Sequence, residues 1–167
     1  TLPVAAASGV LANDTPAVSL TASLLSGTGH GLLSLAADGS FSYTPQANYN
    51  GADSFTYQAF SNGLASLPAT VSISVTPVND PPNAVGNAYS VLAGATLSVA
   101  LPGVLANDSD IDGDALSAVL NSSVAHGSLA LNANGSFSYT PTAGYSGADS
   151  FTYQASDGAA SSAPATV

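Results

Sequence analysis

The nine residues Gly51-Ala52-Asp53-Ser54-Phe55-Thr56-Tyr57-Gln58-Ala59 occur a second time, unchanged, at Gly147 to Ala155. Laying one copy over the other brings the rest of the chain into register. Ser40 to Pro45 recurs at Ser136 to Pro141, and His30-Gly31 recurs as His126-Gly127, all at an offset of 96 residues. Gly9 to Asp14 recurs at Gly103 to Asp108 with an offset of 94, so the second copy carries two extra residues between Asp108 and His126. They fall in the dense acidic run Asp108-Ser109-Asp110-Ile111-Asp112-Gly113-Asp114. A period of about 95 residues exceeds that of solenoid repeats and suits one small domain per copy. The chain therefore reads as two tandem domains, with an acidic loop in the second only.

Composition limits what such domains can do. The 167 residues include no Lys, Arg, Cys or Trp, and all ten acidic residues are Asp, for a formal charge of −10. A chain without a cation lacks the electrostatic footprint of a nucleic-acid binder and has nothing to dock on anionic lipid. No apolar run approaches the roughly 20 residues of a membrane span. Without Cys there is no disulfide framework, and without Lys there is no Lys-to-Asn isopeptide cross-link. A hydrophobic content of 46% still suffices for packed cores, so stability is expected from packing or a bound ion.

Apolar residues alternate rather than recurring at three and four, the pattern of half-buried strands. In the second copy the sets are Tyr89 and Val91; Leu97, Val99 and Leu101; Leu116 and Ala118; Leu129 and Leu131; Phe137 and Tyr139; Phe151, Tyr153 and Ala155; Ala165 and Val167. This predicts seven strands and no helix. Asp38-Gly39, Asn62-Gly63, Asn134-Gly135 and Asp157-Gly158 mark tight turns. Seven short strands in about 95 residues predict an all-β chain of two tandem Greek-key β-sandwich domains of the immunoglobulin kind. The first spans residues 1–79, the paired prolines of 80–83 form the linker, and the second spans 84–167. Alternation places Phe41, Tyr43, Phe55, Tyr57, Phe137, Tyr139, Phe151 and Tyr153 at the aromatic centres. In Asp53 to Tyr57 and Asp149 to Tyr153, an Asp opens a turn and a Tyr four residues on suggests a tyrosine corner, with Asp53 and Asp149 as turn caps.

The segments Gly103 to Asp114, His126 to Pro141 and Gly144 to Gly158, with Val78-Asn79-Asp80-Pro81-Pro82-Asn83-Ala84 between the copies, resemble the cadherin-like tandem repeats of very large bacterial surface and adhesion proteins. The resemblance covers nearly the whole chain. It implies immunoglobulin-like or cadherin-like sandwich modules strung head to tail, at the bacterial cell surface or beyond it, often calcium-binding, and acting as stalk, fibre or adhesive array. The partners it implies are neighbouring repeats or like subunits. The first copy departs from the pattern, with Asn13-Asp14-Thr15-Pro16-Ala17 where the second has its acidic loop, so no calcium site is expected there.

The loop supports that expectation on its own chemistry. Asp108, Asp110, Asp112 and Asp114 alternate, Gly113 permits a sharp bend, and no cationic residue exists to neutralise them. A hard cation with flexible oxygen coordination, Ca2+, suits such a set. It is not an EF-hand, because the chain has no Glu for the twelfth position. Sandwich topology gathers this loop, Asn132 to Asn134 and Asp157 at the end where the chain enters the second domain with Asn79, Asp80 and Asn83. Metal candidates are thus Asp108, Asp110, Asp112, Asp114, Asp80 and Asp157, with Asp53 as a further candidate for an ion bridging the domains.

Enzymatic chemistry is not expected. His30 and His126 sit in His-Gly turns without nucleophile or orienting partner in sequence, and paired Asp residues on a small sandwich without Trp make a poor sugar cleft. A lectin-like module, with calcium holding sugar hydroxyls of surface glycans, is the rival reading. The first domain begins at its second-strand equivalent, Thr1 to Val4 matching Thr96 to Val99, and the last strand of the second stops at Val167, the equivalent of Val71. The expectation is a segment of a longer repeat chain, or a subunit whose open groove a neighbour's strand fills.

Overall fold

The computed structural model of the protein describes residues 1–15 and 19–167. The chain is all-β and divides into two units, Thr1–Val78 and Asn79–Val167. Two single-turn 3₁₀ segments, Ala6–Ser8 and Gly103–Asn107, are the helical elements among the described residues. None of them is long and apolar enough to cross a membrane.

In the first unit the strands are β1 (Leu2–Val4), β2 (Thr21–Ser26), β3 (Gly31–Leu35), β4 (Phe41–Pro45), β5 (Gly51–Ser61), β6 (Leu64–Ala65) and β7 (Ala69–Val75). One sheet runs β1-β4-β3, and the other is centred on β5, flanked by β2 and by β6 and β7. Every strand pair is antiparallel. The alternation that predicts strands is what makes them bury one face: along β5, Asp53, Phe55, Tyr57 and Ala59 point inward while their neighbours face outward or lie half-buried. They meet Val10, Tyr43 and Ile73 in the core.

In the second unit β8 (Leu97–Val99), β9 (Ser117–Ser122), β10 (Gly127–Leu131), β11 (Phe137–Pro141), β12 (Thr152–Ser156) and β13 (Ala165–Thr166) form two sheets, β10-β11-β8 and β13-β12-β9. Val104, Ala118, Phe137, Phe151, Tyr153 and Ala165 make its core. The edge-on pair Phe41–Phe55 recurs as Phe137–Phe151, each with centroids 5.3 Å apart at 66°. The eight expected core aromatics all lie in or against the two cores; Phe41 and Tyr139 are the half-buried members.

Two expectations need correction. The segment holding Tyr89 and Val91 forms no ladder: the Asn87 N–H donates to the Thr166 carbonyl at 3.0 Å and no matching bond follows, while Tyr89 is held by its ring, edge-on to Phe137. The second unit thus has six strands, not seven. Nor are Tyr57 and Tyr153 corner tyrosines. Their phenols cross the sandwich instead of bonding at a corner of their own, Tyr57 donating to the Val10 carbonyl just past Ala6–Ser8 at 2.6 Å and Tyr153 to the Val104 carbonyl within Gly103–Asn107 at 2.8 Å. The local corner bonds come from Tyr49 and Tyr145, each donating to a carbonyl three residues on at 2.6 Å.

The turn before the acidic loop depends on two glycines. Gly103 has φ +60° and Gly135 φ +83°, and the Val104 N–H donates to the Gly135 carbonyl at 2.9 Å. A Cβ on Gly103 would run into the Gly135 carbonyl, so the backbones touch only because neither residue has a side chain. This contact fixes where the chain leaves the core and enters the loop.

Candidate metal centre

Asp108 follows directly on the 3₁₀ segment and turns back toward the core. It accepts the Val85 N–H at 2.8 Å and the Tyr153 hydroxyl at 2.9 and 3.0 Å on its two oxygens. Burial, and then this bond to a carboxylate, push the Tyr153 phenol far above its ordinary pKa. Ser109 pairs its backbone with Asn83 through bonds of 2.8 and 3.1 Å, which ties the loop to the incoming chain. Beyond that tie the loop doubles on itself. Asp110 Oδ1 accepts the N–H groups of Asp112 at 2.8 Å and Asp114 at 3.4 Å, and Gly113 takes φ +81° to allow the bend.

The result is that Asp110, Asp112 and Asp114 each present an oxygen within 4.8 Å of the other two. Asp110 is half-buried, the others exposed. Asp110 Oδ2 is shielded from solvent and has no hydrogen-bond partner. A buried carboxylate oxygen without a donor is costly, and here two more carboxylates converge on Asp110 with no cationic side chain in the sequence. The oxygen-only donor set, the convergence and the orphaned oxygen fit a hard divalent cation, and calcium tolerates such a flexible, partly water-filled coordination better than magnesium.

The remaining candidates have other partners. The Asp80 N–H donates to Asp112 Oδ2 at 2.8 Å, so Asp80 meets the loop through its backbone. Asp157 Oδ1 caps its own turn, accepting from Ala159 and Ala160 at 2.6 Å, and Oδ2 accepts from Asn79 Nδ2 at 2.9 Å; these donors hold its carboxyl below the ordinary range. Of the expected gathering, the incoming chain is joined to the acidic loop and to the Asp157 turn within the second unit, whereas the Asn132 and Asn134 side chains bond to Ser136 of their own turn.

Asp53 lies inside β5 rather than in a turn. It accepts from the Gly29, His30 and Ser54 N–H groups and from the Tyr43 hydroxyl, at 2.8 to 3.0 Å. Burial pushes this carboxyl up, but the four donors outweigh it and hold it at about 2. Asp149 repeats the arrangement with Ala125, His126, Ser150 and Tyr139, also at about 2. Both carboxylates cap a turn, but not their own as the sequence predicts: they reach across the sandwich to the turns that lead into β3 and β10, earlier in the chain. The histidines of those turns lie against tyrosines, His126 stacked on Tyr145 at 4.2 Å.

Sequence reasoning grouped Asp108 with the alternating carboxylates and missed its bond to Tyr153. The internal repeat held the signal: Asp14 and Tyr57, the counterparts, pair in the first unit at 3.1 Å, where no acidic loop follows. A residue kept in both copies serves the fold, and the carboxylates confined to one copy form the cluster. Pro16 and Ala17 of the first-copy loop, expected to lack a site, lie outside the described residues.

Residues 79–167 match the family described as bacterial Ig domain, and residues 1–77 match the bacterial cadherin-like domain. No curated protein matches the chain. Solved structures similar to it include the endo-fucoidan hydrolase MfFcnA4 from glycoside hydrolase family 107, at 22% identity over 88% of this chain and 23% of that one, with a TM-score of 0.34. Another is MfFcnA9 of the same hydrolase family, at 21% identity over 89% of this chain and 27% of that one, with a TM-score of 0.33. The chain spans about a quarter of the length of these proteins.

Proposed function

We propose that this chain, which belongs to the bacterial Ig domain family, is a non-enzymatic structural segment of a bacterial surface protein, a stalk or adhesive fibre of sandwich repeats stiffened by calcium. The observation that carries the reading is the orphaned Oδ2 of Asp110 among three converging carboxylates. Asp110, Asp112 and Asp114 would hold the ion, which when bound supplies the positive charge the sequence lacks. Asp112 also accepts the Asp80 N–H, and Asn83 and Asn79 bond to Ser109 and Asp157 nearby. An ordered loop therefore fastens the incoming chain at two points, with the Asp157 turn holding a third, and loss of the ion leaves like charges to spring the loop.

On this reading the protein works outside the cell, where millimolar calcium suits a three-carboxylate site. Its partners are neighbouring repeats or like subunits. Absence of enzymatic activity is supported by what the titratable groups do: Asp53, Asp108, Asp149 and Asp157 are spent on backbone N–H and tyrosine donors, and both histidines lie against tyrosines. The test is thermal unfolding with calcium and with chelator. The melting temperature rises with calcium concentration by mass action, and one that does not move sinks the proposal.

A further inference from the structure

Asn-Gly occurs at three places, Asn50-Gly51, Asn62-Gly63 and Asn134-Gly135, and the fold treats them differently. Such a pair is able to modify itself, because glycine sets no Cβ in the way when its own backbone nitrogen approaches the asparagine side chain. At Asn134 both reacting groups are occupied. Its Oδ1 accepts the Ser136 N–H at 3.1 Å and the Ser136 hydroxyl at 2.7 Å, while the Gly135 N–H donates to the Asn132 carbonyl at 2.9 Å. Gly135 is buried and its carbonyl receives the Val104 N–H, so freeing that nitrogen means opening the second unit. Gly51 stands in β5 opposite Val75, and the Tyr49 hydroxyl closes over the Asn50-Gly51 pair to the Ala52 carbonyl at 2.6 Å. Asn62-Gly63 is the tip of the β5–β6 hairpin, with φ +50° and +79° as a two-residue turn requires. Both residues are exposed, and a Cβ on Gly63 would meet nothing within 4 Å. Among the described residues neither the Asn62 side chain nor the Gly63 N–H has a hydrogen-bond partner. The strand that closes this hairpin, β6, is two residues long and exposed at both, so the tip opens without disturbing the core.

We propose that Asn62 is a self-modification site, the one Asn-Gly pair of the folded chain that converts to aspartate and isoaspartate. The Gly63 nitrogen gives its proton to solvent base and attacks Cγ of Asn62; the bond from Cγ to the amide nitrogen breaks, and ammonia leaves. Water then opens the resulting succinimide at either carbonyl. Both products add a carboxylate to a chain that already carries −10. Isoaspartate also carries the main chain through the side-chain carbon, which lengthens the turn and breaks the pairing of Ser61 with Leu64. The hairpin tip of the first unit thus changes with the age of the protein, while the matching Asp157-Gly158 turn of the second unit has no amide to lose. This site is independent of the calcium reading, because none of its residues belongs to the acidic loop.

The experiment holds the whole 167-residue chain at mildly alkaline pH, folded in buffer and unfolded in concentrated urea, and follows each pair by peptide mapping and mass spectrometry. Isoaspartate is scored separately by an isoaspartyl methyltransferase. In the folded chain Asn62 converts at least about 10-fold faster than Asn50 or Asn134, and in urea the three rates converge to within about 3-fold, because the difference comes from the energy needed to open each site. Asn50 or Asn134 keeping pace with Asn62 in the folded chain, or an Asn62 that stays intact there while converting in urea, overturns the proposal.

Discussion

Replacing Tyr153 by Phe removes a single oxygen from a residue that is 0% exposed. The structure gives that oxygen two kinds of acceptor, the Val104 carbonyl at 2.8 Å and the Asp108 carboxylate at 2.9 Å. A neutral hydrogen bond contributes about 0.5 to 1.5 kcal/mol net and one to a charged group about 1.5 to 3 kcal/mol. The phenol has a single proton for the two acceptors to share, so the contributions do not add and the expected loss is about 1.5 to 3 kcal/mol for the second unit. For a domain of this size that lowers the melting temperature by about 10 to 20 °C. The assay is urea unfolding followed by near-ultraviolet circular dichroism, with Asp108→Asn and the double variant completing a cycle whose coupling is about 1 kcal/mol or more. If Tyr153→Phe costs under ~0.5 kcal/mol, or the two changes are additive, Asp108 is not spent on holding the fold and its separation from the metal cluster fails.

Stability at low pH reports on Asp53 and Asp149. Each has its folded pKa depressed to about 2 from an ordinary 3.8, so each contributes stability that is complete above 3.8 and is lost as pH falls toward 2; urea midpoints flat from pH 5 to pH 2 contradict the four-donor geometry. Gly103→Ala places a Cβ against the Gly135 carbonyl at φ +60° and lowers the stability of the second unit by about 2 to 4 kcal/mol, whereas Ala at Gly158, whose Cβ meets nothing nearby but whose φ is +95°, costs only about 1 kcal/mol. Phe151→Ala, at 4% exposure, costs about 3 to 5 kcal/mol by denaturant titration, and a value below ~1 kcal/mol means its side chain does not face the core.

The sandwich was legible because period-two alternation in β5 and its twin leaves one arrangement that buries Phe55 with Tyr57 and Phe151 with Tyr153. The change of repeat offset likewise exposed the acidic loop. What the linear pattern could not show is direction. Tyr153 reads as a core residue with a local acceptor, but its phenol spans the sandwich, and only packing brings it to Val104 and Asp108. The same holds for Asp53, whose donors Gly29 and His30 lie 24 and 23 residues away. Alternating Asp residues look equivalent in sequence; the loop makes them unequal by turning Asp108 inward and leaving Asp110 Oδ2 without a donor. Tyr89 and Val91 alternate as a strand should, yet a strand exists only where a second backbone supplies the bonds.

The measurement closest to the central claim is a calorimetric calcium titration of the 167-residue chain beside its Asp110→Asn variant, with Tyr153→Phe as a structural control. Binding of one ion per chain that Asp110→Asn abolishes, while the variant stays as stable as the parent in chelator, is what three converging carboxylates with an orphaned oxygen predict. No calcium heat at millimolar concentration, or undiminished binding in Asp110→Asn, contradicts it.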